Sequence, residues 1–120
     1  MNNACNDSVA IIDCFLNNIT DGNLIKKLND IFDIGGFGYE FAACQFSFDT
    51  QKGDADYFGD KVVKISLDRP LYHNDITIIV TYELFFERLC SRIEQYILKH
   101  PSECDNLYHI CNEIKKLLEI

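Results

Sequence analysis

The apolar residues of this chain follow a helical spacing at both ends and a strand-like spacing in the middle. They recur at steps of three and four residues over positions 9–19 and 24–32, and again over 82–100 and 103–118. Pro101 separates the last two segments, because the residue before a proline avoids helical geometry. Each segment therefore predicts an amphipathic helix with one buried stripe.

Polar residues stand where these predicted helices begin. Asn6, Asp7 or Ser8 can cap the first helix, Thr81 the third and Ser102 the last. Such a cap accepts a hydrogen bond from a backbone N–H that has no partner inside the helix.

The same pattern predicts where the first helix ends and which side chains are buried. Asp21-Gly22-Asn23 is expected to break the chain between the first two helices. Phe32 falls on the predicted buried stripe of the second helix, whereas Arg88 and Arg92 are expected on the surface of the third.

In the middle of the chain the period changes to two. Residues 39–48 predict one strand that is apolar on both faces and so covered on both sides. Residues 61–67 and 75–81 predict two more strands, the second dense in β-branched residues. The glycine run Gly35-Gly36-Phe37-Gly38 is expected to be a flexible turn between helix and sheet.

Together these segments predict a single α+β domain spanning residues 1–120, in the order α-α-β-β-β-α-α. Its sheet is expected to be small and antiparallel, with three strands or four, because the connections are too short for parallel crossovers.

Charge is concentrated in the first half of the chain. The net charge is −8, and residues 1–60 carry ten acids and three bases (−7), against nine and eight (−1) in residues 61–120. An acidic face argues against nucleic acid as a partner, since nothing neutralises phosphates. It would steer a basic partner toward one side, although the charge could also serve solubility alone.

Targeting signals and disulfides are not indicated by the sequence. The N-terminus has no basic segment and no window is apolar enough to span a bilayer, so a cytoplasmic location is expected. Without a secretory signal, the thiols are expected to be reduced and structural. They are Cys5, Cys14, Cys44, Cys90, Cys104 and Cys111.

The stretch from Phe48 to Asp60, FDTQKGDADYFGD, is the acidic loop. It holds four aspartates against one lysine and is expected at the tip of a β-hairpin. Aligned with a calcium-binding EF-hand, Asp54 and Asp56 take ligand positions, but Phe58 and Ile65 stand where further ligands are required. The loop is therefore not predicted to bind metal.

The sequence also gives no support for a zinc site, a catalytic nucleophile or a phosphate-binding loop. His100, Cys104, His109 and Cys111 match no standard zinc spacing. No nucleophile elbow or phosphate-binding glycine motif is present, so we predict no enzyme and no cofactor.

Three features carry a resemblance to a known family over residues 37–120. They are Asp56-Tyr57-Phe58 before a strand, the ITIIVTYELFFE strand-to-helix junction, and a helix ending in Leu98-Lys99-His100-Pro101. The chain resembles the immunity proteins of bacterial contact-dependent growth inhibition systems, in particular those that neutralise ribonuclease toxins. Thr81-Tyr82-Glu83-Leu84 departs from the Ser-Tyr-Glu-Glu-type capping box of that family.

The resemblance implies a cytoplasmic inhibitor of a cognate ribonuclease toxin's C-terminal domain, with an acidic surface occluding a basic cleft. A 1:1 complex is expected. The residues expected to touch the toxin are acidic or aromatic. They are Asp49, Asp54, Asp56, Tyr57, Phe58 and Asp60 in the acidic loop, and Asp30, Asp33 and Glu40 in a second patch.

Three alternatives stay open at this point. Tyr57 and Phe58 could be core residues instead of partner contacts. The acidic face could belong to an adaptor that binds some other basic protein, without catalysis. A small hydrolase with unpaired carboxylates is the third alternative.

Overall fold

Over the residues that the structure describes, the protein is a four-stranded antiparallel sheet with two helices before it and two after it. The computed structural model describes residues 4–120, and for residues 4–6 only the backbone. The α+β class and the four-strand option are confirmed. The elements are α1 (Ala4–Asn17), α2 (Asp21–Ile34), β1 (Gly36–Tyr39), β2 (Ala42–Phe46), β3 (Val62–Leu67), β4 (Ile76–Thr81), α3 (Tyr82–Lys99) and α4 (Cys104–Leu118), with 3-10 turns at Ser47–Asp49 and Pro101–Glu103.

The predicted first strand is two strands. A tight turn at Glu40-Phe41 folds residues 36–46 into a β1–β2 hairpin, and Phe41 takes a left-handed backbone conformation there (φ 71°). The expectation of a flexible glycine turn is wrong, because Gly36 and Gly38 lie inside β1. A Cβ at Gly36 would lie 2.2 Å from the Cys44 carbonyl oxygen, so only glycine lets β1 approach β2 this closely.

The strands lie in the order β1-β2-β3-β4, and one face of the sheet is covered by helices. On that face Cys44, Phe46 and Ile65 are buried, whereas Ala43 and Ile79 are exposed on the other. The prediction of a strand covered on both sides is therefore wrong for β2. We call the solvent-facing side the open face.

Helix boundaries differ from the predicted ones where local signals conflicted. α1 begins at Ala4, so Asn6, Asp7 and Ser8 lie within it and do not cap it. α2 begins at Asp21, where a break was expected.

For the two later helices, one predicted cap is confirmed and the other is wrong. The Thr81 cap is confirmed, since its hydroxyl oxygen accepts the Leu84 N–H at 3.1 Å. Ser102 lies in a 3-10 turn and α4 begins at Cys104, so the predicted Ser102 cap is wrong.

The core lies between the helix-covered face and the helices. Phe15 of α1 is fully buried and stacks on Phe37 and Tyr39 of β1, with ring centroids 5.2 and 5.5 Å apart. Phe32 is 39% exposed, so its predicted burial is wrong.

Arg92 is the largest departure from the sequence pattern. It was expected on the surface but is only 6% exposed. Its guanidinium donates to the carbonyl oxygens of Leu16 and Ile19 at 3.0 and 2.8 Å, and to the Asp21 carboxylate at 2.9 Å. These bonds hold α3 against the turn between α1 and α2, and the bond from Arg92 to the Asp21 carboxylate lowers the pKa of Asp21.

The cysteines whose side chains are described are free thiols. Cys44 lies in the core, where burial raises its pKa to about 12, and the others are half-buried. The side chain of Cys5 lies outside the described residues.

Candidate functional site

The base of the acidic loop is held by three buried polar side chains. The Tyr82 hydroxyl lies 3.0 Å from Ser47 Oγ and accepts the Phe48 N–H at 3.1 Å. Ser47 Oγ also accepts the Val62 N–H at 3.0 Å, and Thr50 Oγ1 donates to the Ser47 carbonyl oxygen at 2.9 Å. The loop therefore leaves β2 and returns to β3 from a fixed base.

Beyond this base, the loop is folded by its own polar contacts. Asp54 Oδ2 accepts the Gln51 N–H at 2.9 Å, and the Asp54 N–H donates to the Gln51 carbonyl oxygen at 2.9 Å. The Tyr57 hydroxyl donates to Asp60 Oδ1, and this bond raises the pKa of Tyr57. These contacts give two of the predicted aspartates defined positions.

The aromatic pair in the loop is half-buried. Tyr57 and Phe58 are partly exposed and lie outside the hydrophobic core cluster. The Lys64 ammonium of β3 lies 5.0 Å from the centre of the Phe58 ring, within cation–π range. The reading of the pair as core residues is therefore not supported.

The remaining predicted acids divide between the two ends of the sheet. Asp49 packs against Gly35, where an added Cβ would lie 2.5 Å from the Asp49 Cβ. Asp33 is exposed two residues earlier, at the end of α2, with the half-buried Asp30 one turn before it. Glu40 is in the β1–β2 turn at the opposite end, so it does not join this group.

A groove of about 540 Å³ lies between the acidic loop and the end of α4. Its apolar lining includes Phe48 and Leu117, which are 41% and 36% exposed. Asp60 and Glu119 bring two acids to its lining, and Lys52 and Lys61 bring two bases. An apolar floor with a charged rim is the usual anatomy of a protein-binding surface.

The structure places at this site residues that the sequence did not single out. Phe48 belongs to the acidic loop but was read as part of a strand, and Leu117 as part of the α4 stripe. Tyr82 was predicted only as the first residue of the third helix, with no role in holding the loop. The one local signal for Phe48 is its two-residue spacing from Phe46. That spacing predicts a strand that continues through Phe48, whereas β2 ends at Phe46.

We predict that Tyr82→Phe loosens the acidic loop. The change removes the hydroxyl that contacts Ser47 Oγ and the Phe48 N–H, which leaves a partly buried N–H without its acceptor. The free energy of unfolding should fall by about 1–2 kcal/mol in urea denaturation. Tyr108→Phe is the matched control, because Tyr108 is 53% exposed, and it should change stability little.

Among residues 7–120, whose side chains the structure describes, no three His, Cys, Asp or Glu side chains converge on a point that could hold a metal ion. No helix in the same range has the length and apolarity needed to cross a bilayer. What the site offers is an exposed set of carboxylates beside an apolar groove, on a loop with a fixed base. Such a surface is suited to binding a protein.

Comparison with known proteins places the chain in a family. A sequence model described as CDI immunity protein matches residues 8–111, which is most of the chain. The protein therefore belongs to the CDI immunity protein family, the immunity proteins of contact-dependent growth inhibition systems. A search of curated proteins finds none that matches.

Proposed function

We propose that this protein neutralises a cognate ribonuclease toxin by occluding the toxin's basic active-site cleft. The surface that does so is the end of the sheet that carries the acidic loop, which we call the acidic-loop end. Family membership implies a toxin partner. The main observation in support of a basic ribonuclease cleft as the target is the set of exposed carboxylates beside the Phe48–Leu117 groove. A nuclease cleft that holds RNA phosphates with cations is complementary to such a surface.

The charge of the acidic loop supports this role. Four aspartates against Lys52 give residues 48–60 a net charge of −3. Asp49, Asp54, Asp56 and Asp60 are all exposed, so each carboxylate can meet a cation on the partner. These charges act mainly on the rate of encounter.

The aromatic side chains supply the second part of the interface. Phe48 and Tyr57 line the groove, and Phe58 follows Tyr57 with its ring near Lys64 of β3, all with part of each ring open to solvent. Rings with few rotatable bonds lose little entropy on binding, and they dominate interface energies. Asp33 and Asp30 extend the acidic surface along α2, whereas Glu40, at the opposite end of the sheet, is not part of it.

The protein acts without catalysis, as an inhibitor in the cytoplasm of the producing cell, where the toxin would meet RNA. One protein binds one toxin domain. Co-expression with the toxin domain encoded by the neighbouring gene tests this, scored for growth and for RNA cleavage. Survival with intact RNA is expected. Cell death, or a toxin that damages a molecule other than RNA, would show the proposal to be wrong.

We predict that reversing two loop charges slows association with the toxin. Asp54→Lys with Asp56→Lys should lower the association rate about tenfold or more at low salt, with less effect near 0.15 M salt. Stopped-flow fluorescence or biolayer interferometry with a catalytically inactive toxin domain measures the rate.

Two further variants complete this test. Asp54→Asn with Asp56→Asn removes the charges but keeps an oxygen that accepts the Gln51 N–H, so its effect should be intermediate. Glu94→Lys with Asp105→Lys makes the same net change, from −8 to −4, on exposed residues of α3 and α4. Equal slowing by the α3–α4 pair would mean that total charge matters and that the loop is not the interface.

A further inference from the structure

The two edge strands of the sheet, β1 and β4, differ in how far they are covered. At β1 the edge is short and covered, because α2 packs against it and Lys27 Nζ donates to the Gly38 carbonyl oxygen at 2.6 Å. At β4 the edge is six residues long and its sequence, ITIIVT, has no charge and no proline. Exposed edges usually carry lysine, proline or a bulge that blocks pairing with another chain. The β4 edge has none of these.

The direction of the backbone groups in β4 follows from its pairing with β3. Tyr82 N–H donates to the Lys61 carbonyl oxygen at 3.1 Å, one position beyond the Val62–Thr81 pair. Because hydrogen-bonded and non-bonded pairs alternate in an antiparallel ladder, Val80, Ile78 and Ile76 bond to β3. The N–H and C=O groups of Thr77 and Ile79 therefore point away from the sheet.

These outward groups have no partner in the described part of the chain. Within residues 4–120, no hydrogen bond reaches the backbone of Thr77 or Ile79 from the outer side. The side chains of both residues lie on the open face, and Ile79 is 51% exposed. Unpaired donors and acceptors beside an exposed isoleucine form a template for another strand.

The sequence of β4 indicates which strand would fit. Residues 77–81 read Thr-Ile-Ile-Val-Thr, which is nearly the same in both directions about Ile79. In an antiparallel pair related by a two-fold axis at Ile79, Thr77 faces Thr81 of the second copy, and Ile79 faces its own equivalent. Ile78 then faces Val80 on the helix-covered side. Each pair joins residues of matching size and polarity, which is favourable across strands.

We propose that the protein forms a homodimer through antiparallel pairing of β4 with β4 of a second copy, giving a continuous eight-stranded sheet. The interface is isologous, so no second surface is needed. The two-fold axis places the acidic loop of each copy at an opposite end of the long sheet. This separation limits repulsion between two chains of charge −8 and leaves both loops free. The inference does not depend on the proposed toxin function.

The dimer is expected to be weak. A six-residue edge buries less than the roughly 1,000 Å² that a stable interface needs, so we expect a dissociation constant between about 10 µM and 1 mM. Sedimentation velocity of the full chain at about 0.15 M salt, from about 5 µM to 1 mM protein, measures it. The sedimentation coefficient should rise with concentration.

Ile79→Lys tests the position of the axis. It places two lysines opposite each other in the dimer, which should raise the dissociation constant about tenfold or more. Ala43→Lys adds the same charge to an exposed open-face site on β2, two strands away from the edge, and should leave the dimer unchanged. Circular dichroism should be native for both variants, because both positions are exposed.

Disulfide trapping tests the register independently. Across the proposed axis the two copies of Ile79 are about 5.5 Å apart at Cα, within disulfide range, whereas the two copies of Thr77 are about 14 Å apart. With oxidised glutathione as oxidant, Ile79→Cys should give a covalent dimer. Thr77→Cys should give no more than the wild-type chain with its native thiols.

Several results would overturn the proposal. A wild-type chain that stays monomeric at the highest concentration rules out the dimer, as does a dimer insensitive to Ile79→Lys. Equal trapping at both positions rules out the register. If the wild type is monomeric and Ile79→Lys instead weakens toxin binding, the toxin occupies the edge and the second copy does not.

Discussion

Replacing Arg92 with alanine is expected to lower the free energy of unfolding by about 3–5 kcal/mol, a large part of the stability of a domain of this size. Arg92 is buried and serves three acceptors at 2.8 to 3.0 Å. Without it, the Ile19 carbonyl oxygen loses this donor in a buried setting, and the Leu16 carbonyl oxygen keeps only the longer bond from the Ile19 N–H at 3.3 Å. Asp21 also loses its closest cation. Leaving such groups unpaired costs more than the bonds contribute.

Urea denaturation followed by circular dichroism measures this effect, and Arg88 provides the matched control. Arg88 is also on α3 and makes a bidentate pair with Asp13 at 2.8 Å. Its side chain is 27% exposed, against 7% for Arg92. Because water screens the more exposed pair, Arg88→Ala should cost about 1 kcal/mol.

A milder substitution keeps this prediction testable if the alanine variant does not fold. Arg92→Lys retains the charge but has no planar fork, so it cannot reach all three acceptors at once. It should fall between the wild type and Arg92→Ala. A loss for Arg92→Ala no greater than that for Arg88→Ala would contradict the structural role that we assign to Arg92.

Phe48→Ala is expected to weaken toxin binding by about 30-fold or more, which corresponds to about 2 kcal/mol. The Phe48 ring lies in the groove beside Leu117 and packs on Phe46, with ring centroids 5.6 Å apart. Its backbone N–H is held by Tyr82. The ring is thus presented in a fixed position before the partner arrives, so little entropy is lost on binding.

Phe41 is a matched control for this change. It has the same exposed fraction, 41%, but lies in the β1–β2 turn at the far end of the sheet. Isothermal titration calorimetry with an inactive toxin domain should give a large loss for Phe48→Ala and almost none for Phe41→Ala. The reverse order would move the interface to the hairpin end. Equal losses would leave the groove without a special role.

The charge reversal at Asp54 and Asp56 and the Phe48→Ala substitution should also differ in their effect on binding kinetics. Loop charges act at a distance and change the association rate, whereas a buried ring acts in the formed complex and changes the dissociation rate. Phe48→Ala should therefore shorten the lifetime of the complex with little effect on its salt dependence.

The helical segments could be predicted because their signals are local. Apolar spacing, the Thr81 cap and the Pro101 stop each act within a few residues of one another. The predicted ends were less accurate, because α2 begins at Asp21 where Gly22 was expected to break the chain. Packing of a complete amphipathic face outweighs the small cost of one glycine near a helix start.

The strand pattern was ambiguous for a physical reason. Residues 36–46 fold back at Phe41, and apolar residues on both sides of the turn then face the same helices. Tyr39 and Ala42 are opposite each other in the hairpin, although simple alternation assigns them to different faces. A two-residue turn without glycine or asparagine in its centre leaves little trace in the sequence.

The candidate site could likewise be predicted from the sequence only in part. The four aspartates of the acidic loop and its place between two strands were readable from composition and spacing. The groove was not, because it is formed by Phe48 and by Leu117, nearly seventy positions later in the chain. Separating Glu40 from Asp33 and Asp49 likewise required knowing that β1 carries the chain to the opposite end of the sheet.

By itself, the sequence determined the class of the fold, the helices and most strands, and the acidic character of the loop. These follow from periodicity and charge, which act along the chain. Only the tertiary structure decided that Arg92 is buried, that one face of the sheet is open and that the β4 edge pairs with no other described segment of the chain. Those features depend on which distant segments come to lie against each other, and hydrophobic spacing does not encode the partners of a polar group.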